Sequence, residues 1–183
     1  MSARGGRTSS VSLRLIFLDF DGVLNSETWR EHRGPRDPAI DVATLDNNER
    51  YALRSLDPAA VQVLETIVRR LDARVVVSSS WRLDFTVPQL NWFLQYHGFT
   101  DVLLGTTPDC TRWGKRGAGV PRTRGGEIAV WLAALNAEAV EYVILDDEPI
   151  GNLGGHGDRL YKLDPAVGLC DTDVDAIIAR FSA

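Results

Sequence analysis

The sequence predicts an α/β protein with a parallel sheet of about five strands, covered by helices on both faces. Short apolar runs typical of buried strands alternate along the chain with longer segments whose apolar residues recur at helical spacing. Acidic residues follow two of the apolar runs directly, which is where ligands bind in sheets of this kind.

The strands are predicted from short apolar segments. The first, LRLIFL, ends abruptly in acidic residues and Gly22, which suits a buried strand followed by a tight loop. The expected strands are, in chain order, 13–18, 74–78, 101–105, 141–145 and 159–163.

Helix boundaries are predicted from capping residues. Asp57 and Pro58 form an N-cap and first-turn pair, and Pro88 opens a second helix that Gly98 ends. A third helix is expected over 127–135 and a last one from Val174, each with an apolar face turned inward.

The length favours a single domain. A chain of 183 residues with 44% hydrophobic content can bury most of its apolar surface in one core. We expect residues 1–12 to form a disordered tail and 13–183 to form one domain. Two stretches interrupt the alternation and are candidate lids: a cap-like insert, 25–56, and a Gly-rich loop, 106–124. The basic residues of that loop are Arg112, Lys115, Arg116, Arg122 and Arg124.

Composition narrows the class of protein. Cys110 and Cys170 lie far apart and show no zinc-binding pattern. No apolar run approaches the roughly 20 residues that cross a bilayer. A net charge of -5 argues against a protein that coats nucleic acid with its whole surface. We therefore expect a cytoplasmic protein that does not insert into membranes.

Asp19 and Asp21 stand two residues apart just beyond the first strand, in LIFLDFDGVLN. Desolvated carboxylates are costly unless a cation or a proton compensates them, so this pair indicates a functional site. A loop of capping aspartates is the plain alternative. A calcium loop is excluded by spacing, since its glycine and glutamate positions hold Leu24 and Arg30.

Three further segments carry candidate chemistry. Residues 78–82, SSSWR, follow the second strand, and Trp81 within them is expected to pack in the core. Arg124 precedes the helix GGEIAVWL, and Asp146 and Asp147 end the fourth strand in YVILDDEP. With LIFLDFDGVLN, these segments resemble, in the same order, the four motifs of the haloacid dehalogenase (HAD) superfamily.

The resemblance implies a three-layer Rossmannoid fold with a minimal cap, and a phosphatase mechanism. Asp19 would attack phosphorus to give an aspartyl-phosphate. Asp21 would protonate the leaving oxygen and later activate water. The presence of Asp21 favours a phosphatase, because dehalogenases of this superfamily lack the second aspartate.

The resemblance also implies residues that bind the phosphoryl group. It favours Ser79 as the hydroxyl on a phosphoryl oxygen, with Ser78 as the close alternative, although such hydroxyls can simply satisfy a strand end. Arg124 would neutralise the nucleophile and the phosphate, and Arg122 competes for that role; either can instead be a solvated loop charge. The other substrate-binding candidates are Ser80, Arg82 and Trp113.

A magnesium site is implied by the acids of the first and fourth motifs. Asp147 would coordinate Mg²⁺ directly and Asp146 would orient the site. Asp19, the backbone carbonyl of Asp21 and water would complete an octahedral oxygen shell.

Together with a final DPAVGL segment, the four motifs resemble the HAD domain of Swiss Army Knife RNA repair-like proteins. This implies a phosphorylated small molecule or a nucleic-acid end as substrate. The basic loop with Trp113 can contact phosphates and stack a base, or it can be a solvated loop. Two alternatives stay open: a phosphotransferase or phosphomutase, and a non-catalytic phosphate-binding regulatory module.

Overall fold

The computed structural model describes residues 12–32, 45–111, 122–135 and 139–181. Within them the strands form one parallel sheet in the order β3-β2-β1-β4-β5, which confirms the predicted α/β class. The strands are β1 (Leu13–Leu18), β2 (Arg74–Val77), β3 (Gly105–Thr106), β4 (Val140–Asp146) and β5 (Leu160–Lys162).

Helices and short 3₁₀ turns connect the strands. The helices are α1 (Glu27–His32), α2 (Asn47–Ser55), α3 (Pro58–Leu71), α4 (Val87–Tyr96), α5 (Arg124–Ala134) and α6 (Val174–Ala179). The 3₁₀ segments are Ser80–Leu83, Ile150–Arg159, which is interrupted by a kink at Gly154, and Asp171–Asp173. In the part of the chain that the structure describes, no helix combines the length and the apolar character needed to cross a membrane.

The sheet is covered on both faces, because the residues of each buried strand alternate between them. On one face Ile16 and Leu18 belong to a core shared with α3, α4 and α6. On the other face Leu15 and Phe17 pack with residues of α5, and the rings of Phe17 and Trp131 meet edge to face at 5.6 Å. The result is the three-layer arrangement that the sequence predicts.

The predicted helix caps are present. The Asp57 side chain accepts a hydrogen bond from the N–H of Ala59 at 2.8 Å, and Pro58 occupies the first turn of α3. Gly98, with φ of +99°, ends the α4 region in the left-handed conformation expected of it. In contrast, α5 begins at Arg124, before its predicted start, because Thr123 caps it.

The third strand is shorter than predicted. The segment 101–105 is apolar enough for a strand, but the register with β2 covers only Gly105–Thr106, with one further bond from the N–H of Leu104 to the carbonyl of Val75 at 2.8 Å. The Asp101 carboxylate accepts from the N–H of the next residue at 2.7 Å, and Asn91 accepts from the N–H of Leu103 at 2.9 Å. These side chains occupy backbone donors that a longer strand would have used for pairing.

The register of the sheet aligns the polar residues that follow the strands. The N–H groups of Asp19, Ser78 and Thr107 donate to carbonyls of β4, β1 and β2 at 3.0, 2.9 and 2.9 Å. Since Leu18 pairs with Leu145, Asp146 stands at the same level of the sheet as Asp19. The carboxyl edge therefore carries a row of polar residues across β3, β2, β1 and β4, centred on the point where the strand order reverses.

Candidate active site

The loop after β1 turns sharply at Gly22. Its φ is +70°, and an added Cβ would lie 2.3 Å from Oδ2 of Asp147. The N–H of Phe20 donates to Oδ1 of Asp19 at 2.8 Å, which orients that carboxylate at the start of the loop. Both the positive φ and the lack of space for a Cβ require glycine at position 22, and its small size lets the loop after β1 approach Asp147, just after β4.

Asp19, Asp146 and Asp147 form a compact acidic cluster. One carboxylate oxygen from each lies within 4.8 Å of the others, and Asp19 and Asp146 are buried. Burial raises the pKa of Asp146 to about 7, against the opposing charge of Arg124. Burial and the Asp19 charge also raise the pKa of Asp147. Oxygen ligands of this kind suit a hard cation such as Mg²⁺, which would relieve the repulsion among them.

Within the described ranges, the cation in contact with this cluster is Arg124. Its Nη1 lies 3.1 Å from Oδ2 of Asp19 and donates to the carbonyl of Ser78 at 2.9 Å, while its Nε lies 3.1 Å from Oδ2 of Asp146. Burial opposes the charge on the guanidinium, but Asp19 and Asp146 outweigh it and raise the pKa of Arg124. The cation therefore stays charged between the two acids.

The other candidates from the basic loop differ from Arg124. Arg122 is exposed. Trp113 and the rest of 112–121 lie outside the described residues, so the predicted substrate contact of Trp113 stays a prediction. Of the two arginines considered for the motif, Arg124 has the contact with Asp19.

Asp21 is half-buried and lies outside the three-acid cluster. Its Oδ1 accepts from Nδ2 of Asn25 at 2.7 Å, and its Oδ2 accepts from the indole Nε1 of Trp81 at 3.0 Å. Sequence reasoning missed both donors, because it treated Trp81 as core and Asn25 as the start of an insert. The usable signal was the position of Asn25 at the end of the DFDGVLN motif.

The three serines after β2 have different environments. Ser78 is buried, and its hydroxyl has no hydrogen-bond partner among the described residues. Ser79 is also buried, but its hydroxyl caps the next turn by accepting from the N–H of Trp81 at 3.4 Å. Ser80 is exposed. A buried hydroxyl without a partner is costly, which makes Ser78 the serine that gains most from a bound ligand.

Thr107, at the end of β3, is a further residue that sequence reasoning missed. It is 2% exposed, and its hydroxyl also lacks a hydrogen-bond partner within the described ranges. The sequence analysis placed Thr107 in the candidate lid 106–124, because the position where β3 ends could not be read from the sequence. It is the neighbour of Ser78 in the polar row.

Arg82 is engaged by protein groups. Its guanidinium donates to the carbonyls of Ser78, Ser79 and Thr107 at 3.2, 2.6 and 3.1 Å, and it forms an ion pair with Glu127. Both side chains of the pair are only 8% exposed. Arg82 thus holds the loops after β2 and β3 together, and its predicted substrate-binding role stays a prediction.

In a comparison with family models, residues 15–174 match the HAD domain in Swiss Army Knife RNA repair proteins. The matched stretch covers most of the chain and includes every described site residue above, so the chain belongs to this family. Membership implies phosphatase-type activity on a phosphorylated substrate, and HAD domains generally use Mg²⁺. Comparisons with curated proteins and with solved structures found no match.

Replacing Gly22 with alanine tests the close approach of the two loops. We expect Gly22→Ala to lower the free energy of unfolding by about 1–3 kcal/mol, because of the positive φ and the contact with Asp147. Urea denaturation measures the change. Gly155→Ala is the matched control, since an added Cβ there meets nothing within 4 Å. Equal losses of stability in the two variants would contradict the close approach of Gly22 to Asp147.

The buried ion pair predicts a large loss of stability when one partner is removed. We expect Glu127→Ala to lower the free energy of unfolding by about 3–5 kcal/mol, because Arg82 is left buried and unpaired. Asp175→Ala breaks the Arg70–Asp175 pair, whose side chains are 51% and 86% exposed, and should cost less than about 1 kcal/mol. Urea denaturation compares them, and a Glu127→Ala loss as small as the control would refute the prediction.

Proposed function

We propose that this member of the HAD family is a Mg²⁺-dependent phosphomonoester hydrolase that works through an aspartyl-phosphate on Asp19. One observation carries the proposal. The Asp19 carboxylate lies against Arg124 and within a cluster of two further acids, with Asp21 two residues along the chain. A nucleophilic carboxylate, an anchored cation, a set of hard oxygen ligands and a second acid are the groups this chemistry needs.

The chemistry of the acidic cluster fits Mg²⁺. Asp19, Asp146 and Asp147 offer only oxygen ligands. The absence of a side chain at Gly22 lets the loop that carries Asp19 lie close to Asp147. We propose that Asp19 and Asp147 hold the cation and that Asp146, held by Arg124, orients the site. When bound, Mg²⁺ supplies positive charge that shields the nucleophile from the phosphate and stabilises the charge developing in transfer.

The reaction proceeds in two displacements at phosphorus. In the first, an oxygen of Asp19 attacks the monoester, the bond from phosphorus to the leaving oxygen breaks, and that oxygen takes a proton from Asp21. In the second, water attacks the aspartyl-phosphate, the bond from phosphorus to Asp19 breaks, and the water proton passes to Asp21. The products are an alcohol and inorganic phosphate, and both aspartates return to their starting states.

We assign the phosphoryl contacts to Arg124 and Ser78. The guanidinium of Arg124 contacts Asp19 and Asp146. It therefore lies where it can balance the charge of a phosphate that binds beside Asp19. The Ser78 hydroxyl is buried and without a partner among the described residues, whereas the Ser79 hydroxyl caps a turn. A phosphoryl oxygen would satisfy Ser78, which supports it over the Ser79 favoured by sequence.

Nucleotides and nucleic-acid ends are the proposed substrate class. The family takes its description from RNA repair proteins. The chain also has five basic residues and no acid between 111 and 124, with Trp113 among them. Cationic side chains contact phosphates regardless of sequence, and an aromatic ring stacks on a base. Most of this segment lies outside the described residues, so its support comes from the sequence.

Release of inorganic phosphate tests the proposal. The panel comprises p-nitrophenyl phosphate, nucleoside monophosphates and oligonucleotides phosphorylated at the 3′ or 5′ end, each with Mg²⁺ or with EDTA. We expect Mg²⁺-dependent release that Asp19→Asn lowers by at least about 1,000-fold, because the nucleophile is lost. Asp175→Asn, which changes an exposed acid outside the site, should leave the rate unchanged.

No release by the folded, Mg²⁺-supplemented wild type would overturn the proposed hydrolase. Transfer of the phosphoryl group to an added alcohol in preference to water would identify a phosphotransferase instead.

Alanine substitutions in the serine run test the phosphoryl contact. We expect Ser78→Ala to lower kcat/KM by about 10- to 100-fold, because a hydrogen bond to a charged group is lost. Ser80→Ala, at an exposed position, should have little effect. Steady-state kinetics on the best substrate measures all three single variants of 78–80, and a larger loss in Ser79→Ala than in Ser78→Ala would contradict the assignment.

A further inference from the structure

We infer that Trp81 is a positioning residue, which acts with Asn25 to fix the Asp21 carboxylate in the orientation that proton transfer requires. The inference rests on the proposed function and deepens it, because it assigns roles to two residues that the motif assignments above leave without one. Its basis is a pair of hydrogen bonds, one to each oxygen of Asp21.

The two donors are of fixed type. The indole Nε1 of Trp81, 3.0 Å from Oδ2, can donate but cannot accept. The orientation of the Asn25 amide is set by its other end, since its Oδ1 accepts from the N–H of Gly22 at 3.0 Å. Its Nδ2 is therefore the atom that faces Oδ1 of Asp21, at 2.7 Å.

Both donors are held in place by packing. Trp81 is 9% exposed, and its ring meets those of Phe20 and Phe85 with centroids 5.1 and 6.0 Å away. Asn25 is 2% exposed. Phe20 is the residue between Asp19 and Asp21, so the indole packs against the segment whose carboxylate it contacts.

Two donors on opposite oxygens stop the carboxylate from rotating. Neither N–H group can accept a proton, so the transferable proton of Asp21 occupies a lone pair that faces neither donor. The directions open to that proton are then set by the protein before substrate arrives. A proton donor aimed in advance spares the reaction the cost of orienting it.

The same contact joins two motif segments. Trp81 follows the serine run, and the capping bond from its N–H to Ser79 lies in the turn that Arg82 braces. Asp21 belongs to the loop after β1. The acid and the proposed phosphoryl-binding Ser78 are thus held by one connected set of bonds, which fixes their relative positions.

Kinetics with two leaving groups tests the inference. Trp81→Phe keeps an aromatic ring between Phe20 and Phe85 but removes the N–H. An alcohol leaving group needs a proton from Asp21, whereas nitrophenolate departs without one. We expect Trp81→Phe to lower kcat/KM at least about tenfold for a nucleoside monophosphate and less than about threefold for p-nitrophenyl phosphate. The control Trp92→Phe changes a tryptophan that is 39% exposed, and should alter neither value.

The outcomes separate this inference from the proposed function. No turnover by the wild type overturns both. An active wild type with Trp81→Phe equal to Trp92→Phe, or with the same loss for both leaving groups, overturns the positioning role alone.

A spectroscopic measurement covers the case in which Trp81→Phe does not fold. The indole N–H resonance of Trp81 is identified by elimination, using phenylalanine variants of the other four tryptophans. We expect it to shift in Asp21→Asn, while the Trp92 resonance stays in place. An unshifted Trp81 resonance would refute the hydrogen bond on which the inference depends.

Discussion

The contact of Arg124 with Asp19 and Asp146 is the interaction on which the candidate site depends. Three carboxylates meet at the carboxyl edge of the sheet, two of them buried, and removing such charges from water costs several kcal/mol each when nothing compensates them. A single guanidinium reaches acids of two neighbouring strands and a carbonyl after a third. Arg124 therefore both neutralises the buried acids and holds the ends of three strands in their relative positions.

A second arginine supports the first without approaching the acids. Arg82 has donors on three carbonyls after β2 and β3, and its pairing with Glu127 anchors it to the helix that begins with Arg124. The two arginines differ in their partners: Arg124 contacts acids of the candidate site, whereas Arg82 contacts backbone carbonyls and Glu127. The indole of Trp81 extends this support to Asp21.

The sequence predicted the α/β class, most of the strand positions and the segments that meet at the site, because these depend on local apolar patterns and on motifs at strand ends. It left open the features that depend on which groups become partners in the folded chain. Whether Ser78 or Ser79 has a free hydroxyl depends on which one caps a turn, and whether Arg82 faces a ligand depends on Glu127, far along the chain. The length of β3 was overestimated, since the side chains of Asn91 and Asp101 bind N–H groups of residues just before the strand.

The alignment of Thr107, Ser78, Asp19 and Asp146 at one level of the sheet limits how such a chain can change in evolution or by engineering. Inserting or deleting a single residue inside β1, β2 or β4 would turn the polar residue that follows it to the opposite face and remove it from the row. A one-residue change in the length of these strands thus disrupts the row, whereas a substitution leaves the facing of the other residues unchanged. Changes in chain length, and with them new ligand preferences, belong in the connections that leave this edge of the sheet.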